Sequence, residues 1–212
     1  MNKNNSFLIE SPYPRIVLFR NVIDNYKCIE IIERFEKSIH KKPGTIGYPP
    51  KIENSIKRTM DIPLSCPEFE DIDQLIYTTV QPLLSDYLGI MDSKYYMLLR
   101  SKNNTIQDTG YHIQKYEPGG FYQEHHDFFA DLEKGIIRIV TFIIYLNTVP
   151  EEKGGRTLFS FPTNCAISPT QGTCMFFPAT WDFLHQGETC LENKYIITGW
   201  FSLARAENNS TE

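Results

Sequence analysis

An α+β chain, mainly β, is the fold class this sequence predicts. Three observations carry the prediction: two helical patterns confined to the first half, about eight short β-type runs from Tyr95 onward, and an aromatic content of 13%. Aromatic and β-branched side chains pack well on a pleated surface, and the 14 Phe and 12 Tyr suit a β-rich core. With 212 residues, 41% of them apolar, the chain is long enough for one domain with a substantial core. No linker composition separates the halves. One domain over 1–212 is therefore expected, in which helices brace a sandwich or barrel and the core spans about 14–203 between polar, frayed ends.

The first helix is expected after Asp24, an N-cap residue type, with Cys28, Ile31, Ile32, Phe35 and Ile39 spaced at three and four. The second is expected from about Glu68 to Leu88. It places Ile72, Leu75, Ile76, Val80, Leu83, Leu84, Tyr87 and Leu88 on one side. Glu68, Glu70 and Asp71 suit the positive end of its dipole, Gly89 suits its end, and Pro82 suits a kink. The strand-like runs are YYMLLR, YHIQKYE, FYQEHHDFF, RIVTFIIYLN, TLFSF, TCMFFP and KYIITGWFSL, broken at PGG, EEKGG, SPTQG and LEN.

Several function classes are disfavoured by composition. A net charge of −5 gives no electrostatic footprint for nucleic acid or an anionic membrane. No apolar run suits a signal peptide or a membrane helix. The five cysteines are odd in number and show no C-x-x-C spacing, so neither a disulfide scaffold nor a cysteine zinc site is expected. A reducing, cytoplasmic setting is the expectation.

Chemistry concentrates around the histidines. In a strand, residues two apart point the same way, so in FYQEHHDFF the side chains of His125 and Asp127 share a face and His126 points to the other. His185, near the start of a late strand, is the candidate third ligand. Two His and one carboxylate on one face of a metal leave positions open, the arrangement of non-haem Fe(II) oxygenases. The H-x-D tripeptide alone is a weak signal. Nine residues after His185 comes Lys194, in an otherwise apolar run. It either reaches solvent from the strand's start or meets an anion, since a bare buried ammonium is costly. Thr198 lies on the same strand face as Lys194.

These segments resemble, in order, the prolyl 4-hydroxylase branch of the Fe(II)/2-oxoglutarate dioxygenases. YEPGGFYQEHHDFF resembles the family's His-x-Asp strand. RIVTFIIYLNTVPEEKGGRTLF resembles its R-x-x-T-x-x-x-Y-L-N-x-V…GG-x-T-x-F block. SPTQGTCMFFP resembles its P-x-x-G-x-x-x-x-F strand, and His185 to Lys194 followed by YIITGW resembles its distal His, cosubstrate cation and closing strand. Pro14 to Phe35 and the Arg58-Thr59 pair extend the likeness, which covers roughly Pro14 to Leu203.

The resemblance implies a double-stranded β-helix, or jelly roll, with N-terminal supporting helices. It implies His125, Asp127 and His185 as ligands of Fe(II), and Lys194 as the residue that binds the distal carboxylate of 2-oxoglutarate. Tyr145 and Tyr116 are the matching tyrosines of the cosubstrate pocket, Thr198 a hydroxyl beside the cation, and Trp200 a wall of the iron pocket. Phe128, Phe129, Phe176 and Phe177 are further lining candidates. The implied reaction consumes dioxygen and 2-oxoglutarate, with ascorbate supportive, and hydroxylates an unactivated C–H. A prolyl residue in a protein or peptide is the first choice of substrate, and a free amino acid or other small metabolite the alternative. Lys at the cation position resembles collagen-type and bacterial enzymes, whereas its nine-residue spacing from His185 resembles the hypoxia-factor type. Arg156 departs from the family, which reads GGET where this chain reads GGRT; it is either a solvent-facing turn residue or an altered substrate contact. The Gly-, Pro- and Lys-rich segment 41–58 is either a connector or a substrate-covering loop. A non-catalytic jelly-roll module has no need for His125, Asp127, His185 and Lys194 together.

Overall fold

In a computed structural model of the chain the described residues are 8–91 and 104–205. The elements in chain order are β1 (Ile9–Tyr13), β2 (Ile16–Phe19), α1 (Asn25–Lys37), β3 (Lys42–Pro43), β4 (Lys57–Arg58), β5 (Met60–Pro63), a 3-10 turn (Pro67–Phe69), α2 (Glu70–Ile90), β6 (Asn104–Tyr116), β7 (Gly120–His125), β8 (Ala130–Asp131), β9 (Ile136–Tyr145), β10 (Thr157–Phe161), β11 (Cys165–Ile167), β12 (Cys174–Pro178), β13 (Leu184–Cys190) and β14 (Lys194–Arg205). The expected run YYMLLR, at 95–100, lies outside the described residues.

Helix α1 starts where the sequence places it. The Asp24 carboxylate accepts from the Lys27 amide at 2.8 Å, a cap that contributes about 1 kcal/mol. Cys28, Ile31 and Phe35 are buried, but the helix stops at Lys37 because Ser38 turns extended; Ile39 lies beyond the end and is exposed. Helix α2 begins two residues later than Glu68, after the 3-10 turn. It runs through Gly89 to Ile90, with the Met91 amide closing on the Tyr87 carbonyl.

Two sheets face each other. The larger runs β1-β2-β12-β9-β14-β6-β5-β3, with β8 also on β9; the smaller runs β11-β10-β13-β7-β4. Period-two alternation explains why the larger sheet needs cover on both sides. Val17, Phe19, Phe142, Ile144, Phe176 and Ile197 face α1 and α2. Their chain neighbours Ile16, Leu18, Ile143, Tyr145, Phe177 and Ile196 face the smaller sheet. Each fully buried Phe contributes about 1.5–3 kcal/mol by area. This is the jelly-roll architecture, with helices on one outer face. No helix among the described residues is long and apolar enough to cross a membrane.

Candidate metal centre and its cavity

Antiparallel pairing of β7 with β13 sets His125 directly opposite His185, and their ring centroids lie 4.3 Å apart. Each imidazole spends Nδ1 on the backbone carbonyl two residues before it: His125 on Gln123 at 2.8 Å, His185 on Phe183 at 3.1 Å. With Nδ1 donating, Nε2 of both rings keeps its lone pair and turns to one point. Asp127 meets them there. Its two carboxylate oxygens lie 3.7 Å from Nε2 of His125 and 3.7 Å from Nε2 of His185. These three residues offer ligand atoms all within 4.8 Å of one another and could hold a metal ion.

The route by which Asp127 arrives differs from the expected one. The strand ends at His125, so alternation no longer governs the next residues. His126, expected to point to the opposite face, lines the same cavity. Asp127 is instead held across the gap between the sheets, where Thr141 of β9 donates to its Oδ2 at 2.8 Å. Burial alone would raise the Asp127 carboxyl, but the His185 and His125 imidazoles and the Thr141 hydroxyl hold it below the usual range. Burial, reinforced by His185, pushes the His125 imidazole down. The result is a deprotonated carboxylate beside a neutral imidazole, which is what a metal requires of its ligands.

The cavity has a volume of about 600 Å³ and opens between the sheets. Alternate residues of β14, namely Lys194, Ile196, Thr198 and Trp200, line it, as do His112, Gln114 and Tyr116 of β6. Lys194 is the decisive one. It is 1% exposed, so the solvent-reaching alternative for its place in the strand does not hold. Its ammonium donates to the Gly155 carbonyl at 2.9 Å and sits 3.9 Å from the Tyr116 ring centroid. Gly155 must be glycine: its φ is +76° and a Cβ would stand 2.8 Å from Cys190 Sγ. No carboxylate among the described residues forms an ion pair with Lys194, and burial lowers its pKa to about 8. A buried cation facing a cavity without a counter-charge suits the carboxylate of a ligand.

Thr198 is buried, and its hydroxyl donates to the Phe142 carbonyl at 3.2 Å. Trp200 lies under the Arg138 guanidinium, 4.1 Å from the ring centroid. Tyr145 sits one layer back from the cavity; its hydroxyl is 2.8 Å from that of Thr157, which does line it. Phe128 and Phe129 line the cavity, whereas Phe176 faces the helices and Phe177 packs on the His185 ring at 4.8 Å. From the 41–58 segment, Thr45, Ile46, Gly47, Tyr48, Pro50 and Lys57 reach the cavity, and Tyr48 packs edge-on to Phe129. Arg156 is drawn onto Glu188 by two side-chain hydrogen bonds of 2.9 and 2.7 Å.

Three further residues were not singled out in the sequence. Thr141 and Arg138 belong to the R-x-x-T pattern, and only the sheet pairing reveals what they touch. Arg138 lines the cavity, and its Nε is buried without a hydrogen-bond partner among the described residues. Lys57 is almost fully buried, and Asp61 answers its charge at 2.8 Å.

Comparison with known proteins agrees with this geometry. Residues 111–202 match the model of the 2OG-Fe(II) oxygenase superfamily, whose chemistry uses Fe(II), 2-oxoglutarate and dioxygen. Prolyl 4-hydroxylase 1 of Arabidopsis thaliana is 31% identical over 80 residues, which are 31% of this chain and 28% of that protein. Probable prolyl 4-hydroxylase 8 of the same plant is 25% identical over 150 residues, covering 69% of this chain and 45% of that protein. The chain thus spans less than half the length of these curated relatives. A Trichoplax adhaerens prolyl hydroxylase, solved with a hypoxia inducible factor peptide fragment, superposes with a TM-score of 0.69 at 19% identity over 88% of this chain and 83% of that one, which establishes a shared fold. The segment 111–202 is thus similar to the 2OG-Fe(II) oxygenase superfamily, and the chain shares the fold of solved prolyl hydroxylases.

Proposed function

We propose that the chain hydroxylates an unactivated C–H of a prolyl residue in a protein or peptide, with succinate and carbon dioxide as co-products. The observation that carries this reading is the meeting, in one cavity, of three convergent metal-ligating side chains and a buried ammonium with no carboxylate partner among the described residues. Fe(II), 2-oxoglutarate and dioxygen, when bound, supply the oxidising power for the C–H bond.

In this reading His125 and His185 ligate iron through Nε2, and Asp127 through its carboxylate. Thr141 keeps that carboxylate oriented. Lys194 receives the far carboxylate of 2-oxoglutarate, with Thr198 beside it and the Tyr116 ring against its ammonium. Tyr145 acts from behind by fixing the Thr157 hydroxyl. Trp200, Phe128 and Phe129 exclude water where the substrate C–H is presented, which limits side reactions. The cavity-facing part of the 41–58 segment, Thr45 to Pro50, contacts the bound peptide at the rim. Support for a prolyl substrate comes from the names of the curated relatives and from the peptide held by the Trichoplax enzyme.

One observation favours a second reading, a small carboxylate such as a free amino acid. Arg138 turns a half-buried guanidinium to the cavity, its Nε without a partner among the described residues, and a cation there suits a carboxylate better than a neutral peptide carbonyl. Succinate formation from 2-oxoglutarate, with Fe(II) and ascorbate, separates the readings. Stimulation by Pro-containing peptides and not by a panel of free amino acids supports the first. The reverse supports the second. Absence of turnover with and without both panels overturns the assignment.

A further inference from the structure

Away from the cavity, His40, Cys66 and Glu68 bring an imidazole, a thiol and a carboxylate to one point. Their ligand atoms all lie within 4.8 Å of one another, and His40 Nε2 is 4.0 Å from Glu68 Oε2. They come from two separate connections, one between α1 and β3 and the other between β5 and α2. The absence of C-x-x-C spacing says nothing against such a site, because tertiary packing and not local spacing assembles it.

The arrangement is braced from the protein side. The Ser38 side chain is buried and serves both connections at once: its hydroxyl donates to Glu68 Oε2 at 2.6 Å and accepts the His40 amide at 3.1 Å. Arg34 of α1 donates to the Glu68 carbonyl and fixes that backbone to the helix. The Cys66 carbonyl accepts the Phe69 amide at 2.8 Å, so the turn that carries Cys66 and Glu68 is closed. The half-exposed His40 ring has room to adjust.

We propose that His40, Cys66 and Glu68 form a second metal site, for zinc, with water as its fourth ligand. One thiolate, one imidazole and one carboxylate are ligand types that zinc accepts together, and tetrahedral geometry leaves the exposed position to water. With bonds of about 2.0–2.3 Å, ligand atoms around zinc stand roughly 3.3–3.8 Å apart, so a shift of about 1 Å at an exposed imidazole completes the site. The metal ties the chain leaving α1 to the chain entering α2. Five residues after His40 the same strand of chain reaches Thr45, at the rim of the cavity.

Cobalt(II) is the probe, because a thiolate ligand gives it a near-ultraviolet charge-transfer band that nitrogen and oxygen ligands do not. The full chain carrying Asp127→Ala, which removes the cavity's carboxylate, is titrated with cobalt(II) and then with zinc(II). The expected result is one tight equivalent with the thiolate band and its displacement by zinc. Cys66→Ser abolishes the band, and His40→Ala, an exposed change that leaves the fold intact, weakens binding by about tenfold or more. Zinc also protects Cys66 from alkylation, read by peptide mass. No thiolate band at saturating cobalt, or a band that persists in Cys66→Ser, overturns the site, whatever the outcome for the oxygenase chemistry.

Discussion

Lys194 and Tyr116 are a cross-strand pair, and the ammonium of one rests 3.9 Å from the ring centroid of the other. The pairing of β14 with β6 thus builds a cation site in an interior that supplies it with one carbonyl and one aromatic face. Such a charge is held at a cost to the ligand-free protein. Lys194→Met keeps the volume and removes the charge. The expected outcome is a chain stabilised by about 1–3 kcal/mol in thermal or urea unfolding without 2-oxoglutarate, since each unit of pKa displacement is worth about 1.4 kcal/mol. The same variant loses 2-oxoglutarate binding by calorimetry while metal binding stays within a few fold. A destabilised variant with normal cosubstrate affinity contradicts the assignment.

The same lysine sets a pH dependence. Burial lowers its pKa to about 8 from an ordinary 10.5, so between those values the unfolded chain binds the proton and the folded chain does not. Stability of the ligand-free protein therefore gains from this group as pH rises from about 8 to 10.5, and the gain is absent in Lys194→Met. Affinity for 2-oxoglutarate moves the other way. Above pH 8 binding must take up a proton, so the dissociation constant rises about tenfold per pH unit until competing effects set in. A dissociation constant flat from pH 7 to 9.5 contradicts this.

Thr141→Val removes the hydroxyl that orients Asp127 and leaves the shape of β9 nearly unchanged. Metal affinity at the cavity is expected to fall 10- to 100-fold, the usual range for a lost outer hydrogen bond. Isothermal titration with cobalt(II) measures it. The second metal site proposed above is unaffected, which gives the experiment its internal control.

Acid should dismantle the metal-ligand cluster before it unfolds the surface. His125 is held neutral by burial, so stability it contributes is present above the ordinary histidine pKa near 6.5 and is lost as pH falls below it. Asp127 adds to the loss at lower pH, because its carboxyl is held below 3.8. His125→Phe, which stacks on Tyr122 as the imidazole does, is expected to flatten the first part of that curve in chemical unfolding.

Arg156→Glu restores the charge found in the resembling enzymes and sets two carboxylates against each other, since Glu188 already answers Arg156 in two hydrogen bonds. A loss of about 1 kcal/mol in unfolding free energy is expected, with 2-oxoglutarate affinity changed less than about threefold. Glu188→Gln combined with Arg156→Glu recovers most of the stability.

Much of the architecture was legible because its causes are local. Asp24 caps a helix whose apolar positions recur at three and four, and β14 alternates Lys194, Ile196, Thr198 and Trp200 onto one face. The centre was legible for a partly different reason than period two. His125 obeys the strand, but Asp127 lies past its end and is placed by Thr141 from the other sheet. Local pattern also left Lys194 undecided between solvent and interior. Only its pairing with Tyr116, far away in sequence, buries it. Arg138 and Lys57 were invisible for the same reason, since a basic residue in a strand announces nothing until its neighbours are known.

Strand β14 lies in the middle of the larger sheet, between β9 and β6, although it comes last of the elements in the described chain. During synthesis the strands that bear His125 and His185 emerge first, while the sheet beneath them stays split. Nascent chains therefore expose both open edges of β6 and β9, and the pocket cannot close until β14 has left the ribosome. Ribosome-bound chains halted before Lys194 should be protease-sensitive and unable to retain metal at the cavity, and a stop at that point produces an aggregation-prone fragment instead of a folded but weakened chain.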